Sequence, residues 1–176
     1  CLRGRDGLLT ALVNSAGYFP RDPGLDVTEL DWASWRRTMD VNLDAAVHCS
    51  VLAAEAMKGA GGAIINVASG AGIRPRLPMD YSVSKAAVIQ ASQCMALSLA
   101  QHDIRVNVVA PGPTATGMIA HVTDDAQLRD RFAQMIPLGR YADPDEIAAV
   151  IDFLASDDAR FITGSIYSAD GGTTLR

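Results

Sequence analysis

Ile104-Arg105-Val106-Asn107-Val108-Val109-Ala110-Pro111-Gly112-Pro113 is a short, largely apolar, β-branched run cut off by a Pro-Gly-Pro turn. A run of this kind, stopped by turn residues, reads as a buried strand. Upstream, Ala63 to Ala68 is a second such strand. Leu8 to Val13 is another, ending at Asn14-Ser15-Ala16-Gly17, and Gly164 to Ala169 is the last, closed by Asp170-Gly171-Gly172. Long helical patterns separate them. One starts at Thr28, where Asp31 three positions on resembles a capping box, and continues to about Met57 before Gly59, Gly61 and Gly62. Asp80 can cap a second, from Tyr81 to about Gln101. Asp143-Pro144-Asp145-Glu146 starts a third, with Ile147, Val150, Ile151 and Leu154 on one buried face. Residues 18–27 read as a loop and 114–140 as a mobile helical excursion. Short apolar strands alternating with long helices predict an α/β fold, a parallel sheet with helices on both faces. Without a repeat or a low-complexity tract, residues 1–176 read as a single domain.

Composition agrees. The 176 residues are 49% hydrophobic and 20% charged, with a net charge of -5. That length can bury a core, and the composition is not that of a disordered chain. No apolar stretch nears the ~18 residues of a membrane span. No basic run forms a phosphate-binding stripe, so neither membrane nor nucleic acid is an expected partner. Cys1, Cys49 and Cys94 are odd in number and widely spaced, which points to a reducing cytoplasm. His48, His102 and His121 have no neighbours at ligand spacing, so no metal site is expected.

The sharpest chemical feature is Tyr81-Ser82-Val83-Ser84-Lys85. Tyr and Lys four apart lie one helical turn from each other, on the same side. A phenol of pKa near 10 is roughly 0.1% ionised at neutral pH. A lysine charge ~4 Å away, at an effective dielectric of ~20, is worth about 4 kcal/mol. Such a charge could bring the phenol down by about three pH units, into the range of a general acid/base. Taken alone, the same spacing also describes a surface tyrosine beside a solvated lysine. Ser69 follows a strand, at the sheet edge where ligands bind in such folds, and can hydrogen-bond a carbonyl; a turn serine is the plainer reading. Asn42 falls within a helix, either as a satisfied buried amide or as the anchor of a proton-relaying water. The Pro111-Gly112-Pro113-Thr114-Ala115-Thr116 turn lets backbone approach a bound ring, or is ordinary punctuation.

Together, Asn14-Ser15-Ala16-Gly17, Val41-Asn42-Leu43, Asn66-Val67-Ala68-Ser69, Tyr81-Ser82-Val83-Ser84-Lys85, Val106-Asn107-Val108-Val109-Ala110-Pro111-Gly112 and Asp170-Gly171-Gly172 closely resemble the short-chain dehydrogenase/reductases, over essentially the whole chain. The resemblance implies a Rossmann-type sheet and hydride transfer between NAD or NADP and a small ketone or secondary alcohol. Tyr81 would be the general acid/base, Lys85 would lower its pKa and bind the nicotinamide ribose, Ser69 would orient the substrate oxygen, and Asn42 would anchor a relay water. Asn14, Ala16 and Gly17 match the segment beside the adenosine. Pro111, Gly112, Thr114 and Thr116 match the turn that holds the nicotinamide. Residues 114–140 would be a substrate lid, with apolar Met118, Ile119, Phe132, Met135 and Ile136. Helices 28–57 and 81–101 look like those through which relatives form homodimers or homotetramers.

Three departures stand out. Ser15 replaces a second Asn usual in the family, putting a sheet-stabilising contact there in question. Ser69 and Tyr81 are 12 apart, one fewer than is common. No Gly-rich phosphate turn of the GxxxGxG type precedes Leu9. The reading therefore expects the first strand–helix units, roughly 80–90 residues, to be lacking, and strand 8–13 to expose an apolar edge. The alternative is a truncated, non-catalytic remnant that only dimerises or weakly binds nucleotide.

Overall fold

Alternation along the strands sorts side chains onto two faces. The computed structural model describes residues 2–5, 8–20, 26–119 and 124–176, the first four by their backbone alone. Cys1, His121, Pro23 and Gly24 lie outside the described residues, as does part of the 114–140 segment. The strands are β1 (Leu2–Arg5), β2 (Leu8–Asn14), β3 (Gly62–Val67), β4 (Ile104–Pro111) and β5 (Ile166–Ala169), in the order β1-β2-β3-β4-β5. The four from β2 onward pair in parallel, as expected. Strand β1 differs: it pairs antiparallel with β2, Leu2 opposite Leu12 and Arg5 opposite Leu8. The edge expected to lie open is therefore occupied, which satisfies backbone groups of β2 that would otherwise face outward.

On one face Ile64, Ile104, Val106 and Leu12 pack against Ala53, Ala54 and Met57 of α2 (Ala45–Met57) and Ala96 of α4 (Met79–Leu99). On the other, Ala63, Ile65 and Val109 meet Ile147 and Leu154 of α6 (Pro144–Ala155). Helices therefore cover both faces. None among the described residues is long and apolar enough to cross a membrane.

Element boundaries correct the sequence reading in three places. The expected helix 28–57 is broken into a 3-10 turn at Val27–Glu29, α1 (Trp32–Met39), a π-helical turn Asp40–Asp44, and α2. Asp31, not Thr28, caps α1, accepting from the Ala33 amide. Helix α4 starts at Met79, so Asp80 lies inside its first turn. There its buried carboxylate accepts from Thr38 Oγ1 at 2.9 Å and joins α4 to α1. Between β3 and α4 stands a one-turn helix, α3 (Gly70–Ile73). By contrast, the helix start at Asp143-Pro144-Asp145-Glu146 forms as read, with Asp143 as the N-cap, and Glu146 bonds back to it to complete a capping box that the sequence reading did not name. Within 114–140 the described structure is a 3-10 turn at Gly117–Ile119 and helix α5 (Ala126–Ala133).

Candidate active site

The carboxyl ends of β2, β3 and β4 deliver the candidate residues to one edge of the sheet, where open parallel sheets bind ligands. Ser69 stands just past β3 and caps α3, its Oγ accepting from the Ala71 amide at 3.1 Å. Close packing of α3 on α4 requires glycine at position 72, where a Cβ would stand 2.6 Å from the Lys85 carbonyl carbon. This contact brings Ser69 to Tyr81. The Ser69 side chain lies near enough to the Tyr81 phenol to draw its pKa down.

Tyr81 is half-buried and Lys85 is buried. The Lys85 ammonium lies 5.8 Å from the Tyr81 ring centroid and donates to the Val67 carbonyl at 3.0 Å. Burial lowers its pKa to about 8. Burial also raises the Tyr81 phenol, and Ser69 only partly offsets this. Desolvation, rather than the lysine charge, dominates the shift of the phenol here. Lys85 is held by the end of β3, and desolvation dominates both groups.

Asn42 sits in the π-helical turn, a distortion common at functional sites. Its Oδ1 accepts from the Tyr18 amide at 2.6 Å, and its Nδ2 donates to the Tyr18 carbonyl and to Ser84 Oγ, both at 3.0 Å. The side chain is thus a clamp with both Nδ2 donors engaged, and Oδ1 keeps a second lone pair on which a relay water can sit. Asn14 is likewise turned into the protein, Nδ2 donating to Asn66 Oδ1 at 2.8 Å and Ser50 Oγ at 3.0 Å. That contact ties β2 to β3 and α2 without any help from position 15, so the Ser15 departure leaves it intact. Ala16 and Gly17 are exposed. A Cβ on Gly17 would face Lys85 Nζ at 3.6 Å and Met118 Cε at 3.7 Å.

Pro111 ends β4, and Gly112 is needed there for a different reason than expected. A Cβ on it would stand 2.6 Å from Asp170 Cα, so the glycine admits the Asp170-Gly171-Gly172 backbone. Thr114 Oγ1 donates to the Gly112 carbonyl at 3.0 Å, and Thr116 is exposed. Of the apolar lid residues, Met118, Phe132 and Met135 are exposed and Ile136 is buried. Two cavities flank this edge. One, of about 560 Å³, runs along Leu12 to Ala16 and α2; the other, of about 470 Å³, lies between residues 136–142 and the end of β5. Ser69, Tyr81 and Lys85 line neither.

Sequence reasoning missed Phe19, whose ring meets Tyr81 edge to face with centroids 4.9 Å apart. It also missed Ser82, which donates to the Arg76 carbonyl at 2.6 Å and accepts from the Arg76 amide at 3.1 Å. The only signal for Ser82 and Ser84 was their position beside Tyr81, on a helix that is otherwise largely Ala, Val, Ile and Met.

Comparison with known proteins agrees with this geometry. A family model described as enoyl-(acyl carrier protein) reductase matches residues 2–174. Galactitol 2-dehydrogenase (L-tagatose-forming) of Cereibacter sphaeroides is 39% identical over 171 residues, covering 95% of this chain and 66% of that protein. Cis-4-hydroxycyclohexanecarboxylate dehydrogenase of Sinomonas cyclohexanicum is 40% identical over 170 residues, covering 96% and 67%. A solved gluconate 5-dehydrogenase from Burkholderia cenocepacia J2315, in complex with NADP and tartrate, aligns with a TM-score of 0.89 at 31% identity, over 98% of this chain and 67% of that one. The chain belongs to the short-chain dehydrogenase/reductase family. It spans about two thirds of the length of the curated relatives it matches.

Proposed function

We propose that this chain carries the proton-transfer site of an NAD(P)-dependent dehydrogenase/reductase acting on a secondary alcohol or its ketone. One observation carries the reading: a tyrosine with a buried lysine 5.8 Å from its ring centroid and a serine close to its phenol, at the carboxyl edge of parallel strands. Relatives named as dehydrogenases of galactitol and of a hydroxycyclohexanecarboxylate support the alcohol class.

The residues present fit a nicotinamide cofactor. Lys85 Nζ has three N–H donors, and its hydrogen bond to the protein is to the Val67 carbonyl, so donors remain for ribose hydroxyls. Gly17 leaves its backbone bare on the side facing that ammonium. Lys85, with the 14–17 and 111–116 turns, would hold the cofactor, which when bound supplies or accepts the hydride. Tyr81 holds its proton at neutral pH, as a phenol does, and burial reinforces this by raising its pKa. It is therefore poised to donate from Oη to a carbonyl oxygen that Ser69 Oγ orients. The reverse reaction needs the phenol to lose that proton first. Asn42 acts by fixing the Tyr18 loop against Ser84 of α4.

Tyr81→Phe keeps the ring and removes the proton. Expected is a loss of ketone reduction by at least about 100-fold, with an unchanged thermal midpoint, read by nicotinamide absorbance across a ketone panel. A variant as active as the wild type would sink the reading. A folded wild type inactive on every ketone and alcohol would favour the non-catalytic remnant.

Assembly through α2 and α4 belongs to the same proposal. Leu52 (72% exposed) and Leu97 (85% exposed) sit on the outer sides of these helices, as apolar residues awaiting a partner would. Sedimentation of a clean monomer would count against it. Exposed, unpaired Cys49 and Cys94 support a reducing compartment.

A further inference from the structure

Residues 17 to 19 follow the catalytic helix turn for turn. Gly17 faces Lys85, and two residues on, Phe19 packs against Tyr81. Two extended residues cover about 6.6 Å and one helical turn about 5.4 Å, so the loop matches the Tyr81–Lys85 spacing. A closed circuit of hydrogen bonds holds it there. Asn42 grips the Tyr18 backbone by both its amide and its carbonyl. The same amide reaches Ser84 Oγ, and that hydroxyl donates to the Tyr81 carbonyl at 2.8 Å. The Arg37 guanidinium covers the Tyr18 ring at 4.6 Å, closing the outer side. Phe19 is thus presented to the phenol ring by residues that also fix the backbone of Tyr81.

We propose that Phe19 is a positioning residue for Tyr81 and the wall on one side of the space before it, selecting carbonyl compounds with a small or planar group on that side. The proposal rests on Tyr81 being the proton donor. An edge-to-face contact favours one placement of the two rings over others, which holds the Tyr81 side chain in one χ1 rotamer and so fixes where Oη lies. The ring is also part of what shields the phenol from water.

The test uses the full chain with Phe19→Leu and Phe19→Ala. The Tyr81 phenol is followed by carbon-13 NMR of labelled tyrosine and assigned by its loss in Tyr81→Phe. In parallel, kcat and KM are measured for a small acyclic ketone and for a ring ketone with a branched substituent next to the carbonyl. Phe19→Ala is expected to move the Tyr81 titration toward that of an ordinary tyrosine. It should also lower kcat for the small ketone about tenfold and raise the branched-to-small ratio of kcat/KM by a similar factor. Phe19→Leu, which keeps apolar cover and protects the fold, should fall between. An unmoved Tyr81 titration in both variants overturns the positioning role, and an unchanged substrate ratio overturns the wall. The titration is read without turnover, so inactivity of the wild type sinks the proposed function and the wall with it, while an unmoved titration in an active enzyme sinks the positioning role alone.

Discussion

Burying the Lys85 ammonium works against the stability of the chain. Its folded pKa of about 8 lies below the unfolded value of 10.5, so between those values the unfolded state binds more protons. Wild-type stability therefore rises with pH from about 8 toward 10.5, and the penalty is fully present below about 8. The displacement corresponds to about 3 kcal/mol. Lys85→Met should thus unfold about 2 kcal/mol later at pH 7, after about 1 kcal/mol is returned for the lost Val67 bond, while ketone reduction fails. Urea denaturation of both chains at pH 7 and pH 10 checks it: the variant's advantage should shrink at the higher pH, and an equal gap at both would refute it. The pairing of Tyr81 with Lys85 was legible because a helix makes spacing equivalent to proximity. The electrostatics were not, because a four-residue spacing says nothing about how much water reaches either group. Asn42 was located correctly but its partners were unreadable, since Tyr18 and Ser84 come from elements 24 and 42 residues away.

At the scale of elements, legibility followed local chemistry. The start of α6 at Asp143 involves four consecutive residues and formed as read. The break in the 28–57 helix was not read although Asp40, Val41, Asn42 and Asp44 are weak helix formers, because its place is set by tertiary partners: Thr38 and Asn42 are buried against Asp80, Tyr18 and Ser84. Strand β1 was missed because Leu2-Arg3-Gly4-Arg5 offers no apolar run, and its pairing answers the need of a neighbouring edge instead. The join between β4 and the Asp170 turn shows how narrow such contacts are. Asp170 accepts from the Gly172 and Thr174 amides at 2.9 and 2.8 Å. Its pKa is pushed up by burial but lowered on balance by those bonds and by Thr173. Gly112→Ala would drive a methyl to 2.6 Å from Asp170 Cα and 2.7 Å from its carbonyl oxygen, where neither side is a flexible tip. A loss of about 3 kcal/mol is expected, measured by thermal unfolding; a midpoint within a degree of the wild type would contradict the packing.

Across the whole molecule, one polar chain passes over the sheet beneath the two helices. Ser50, Asn14, Asn66 and Ser92 link in sequence, with Asn66 and Ser92 almost fully buried. This ladder joins α2, β2, β3 and α4, so the helix bearing Tyr81 is keyed to the strand ends that surround it. Two loops are then keyed to that helix. Asn42 and Ser84 fasten Tyr18, and Ser82 fastens Arg76, each by backbone amide and carbonyl together. Loop amides ordinarily trade their protons with solvent quickly, yet these two are locked to buried partners. In deuterated water the amides of Tyr18 and Arg76 should persist about as long as those within α4, opening only when that helix opens. Exchange at the pace of Ser15 or Ala16 would mean the loops move on their own. If they do not, two slow protons outside any helix or strand serve as reporters of whether the helix carrying the reactive tyrosine is in place.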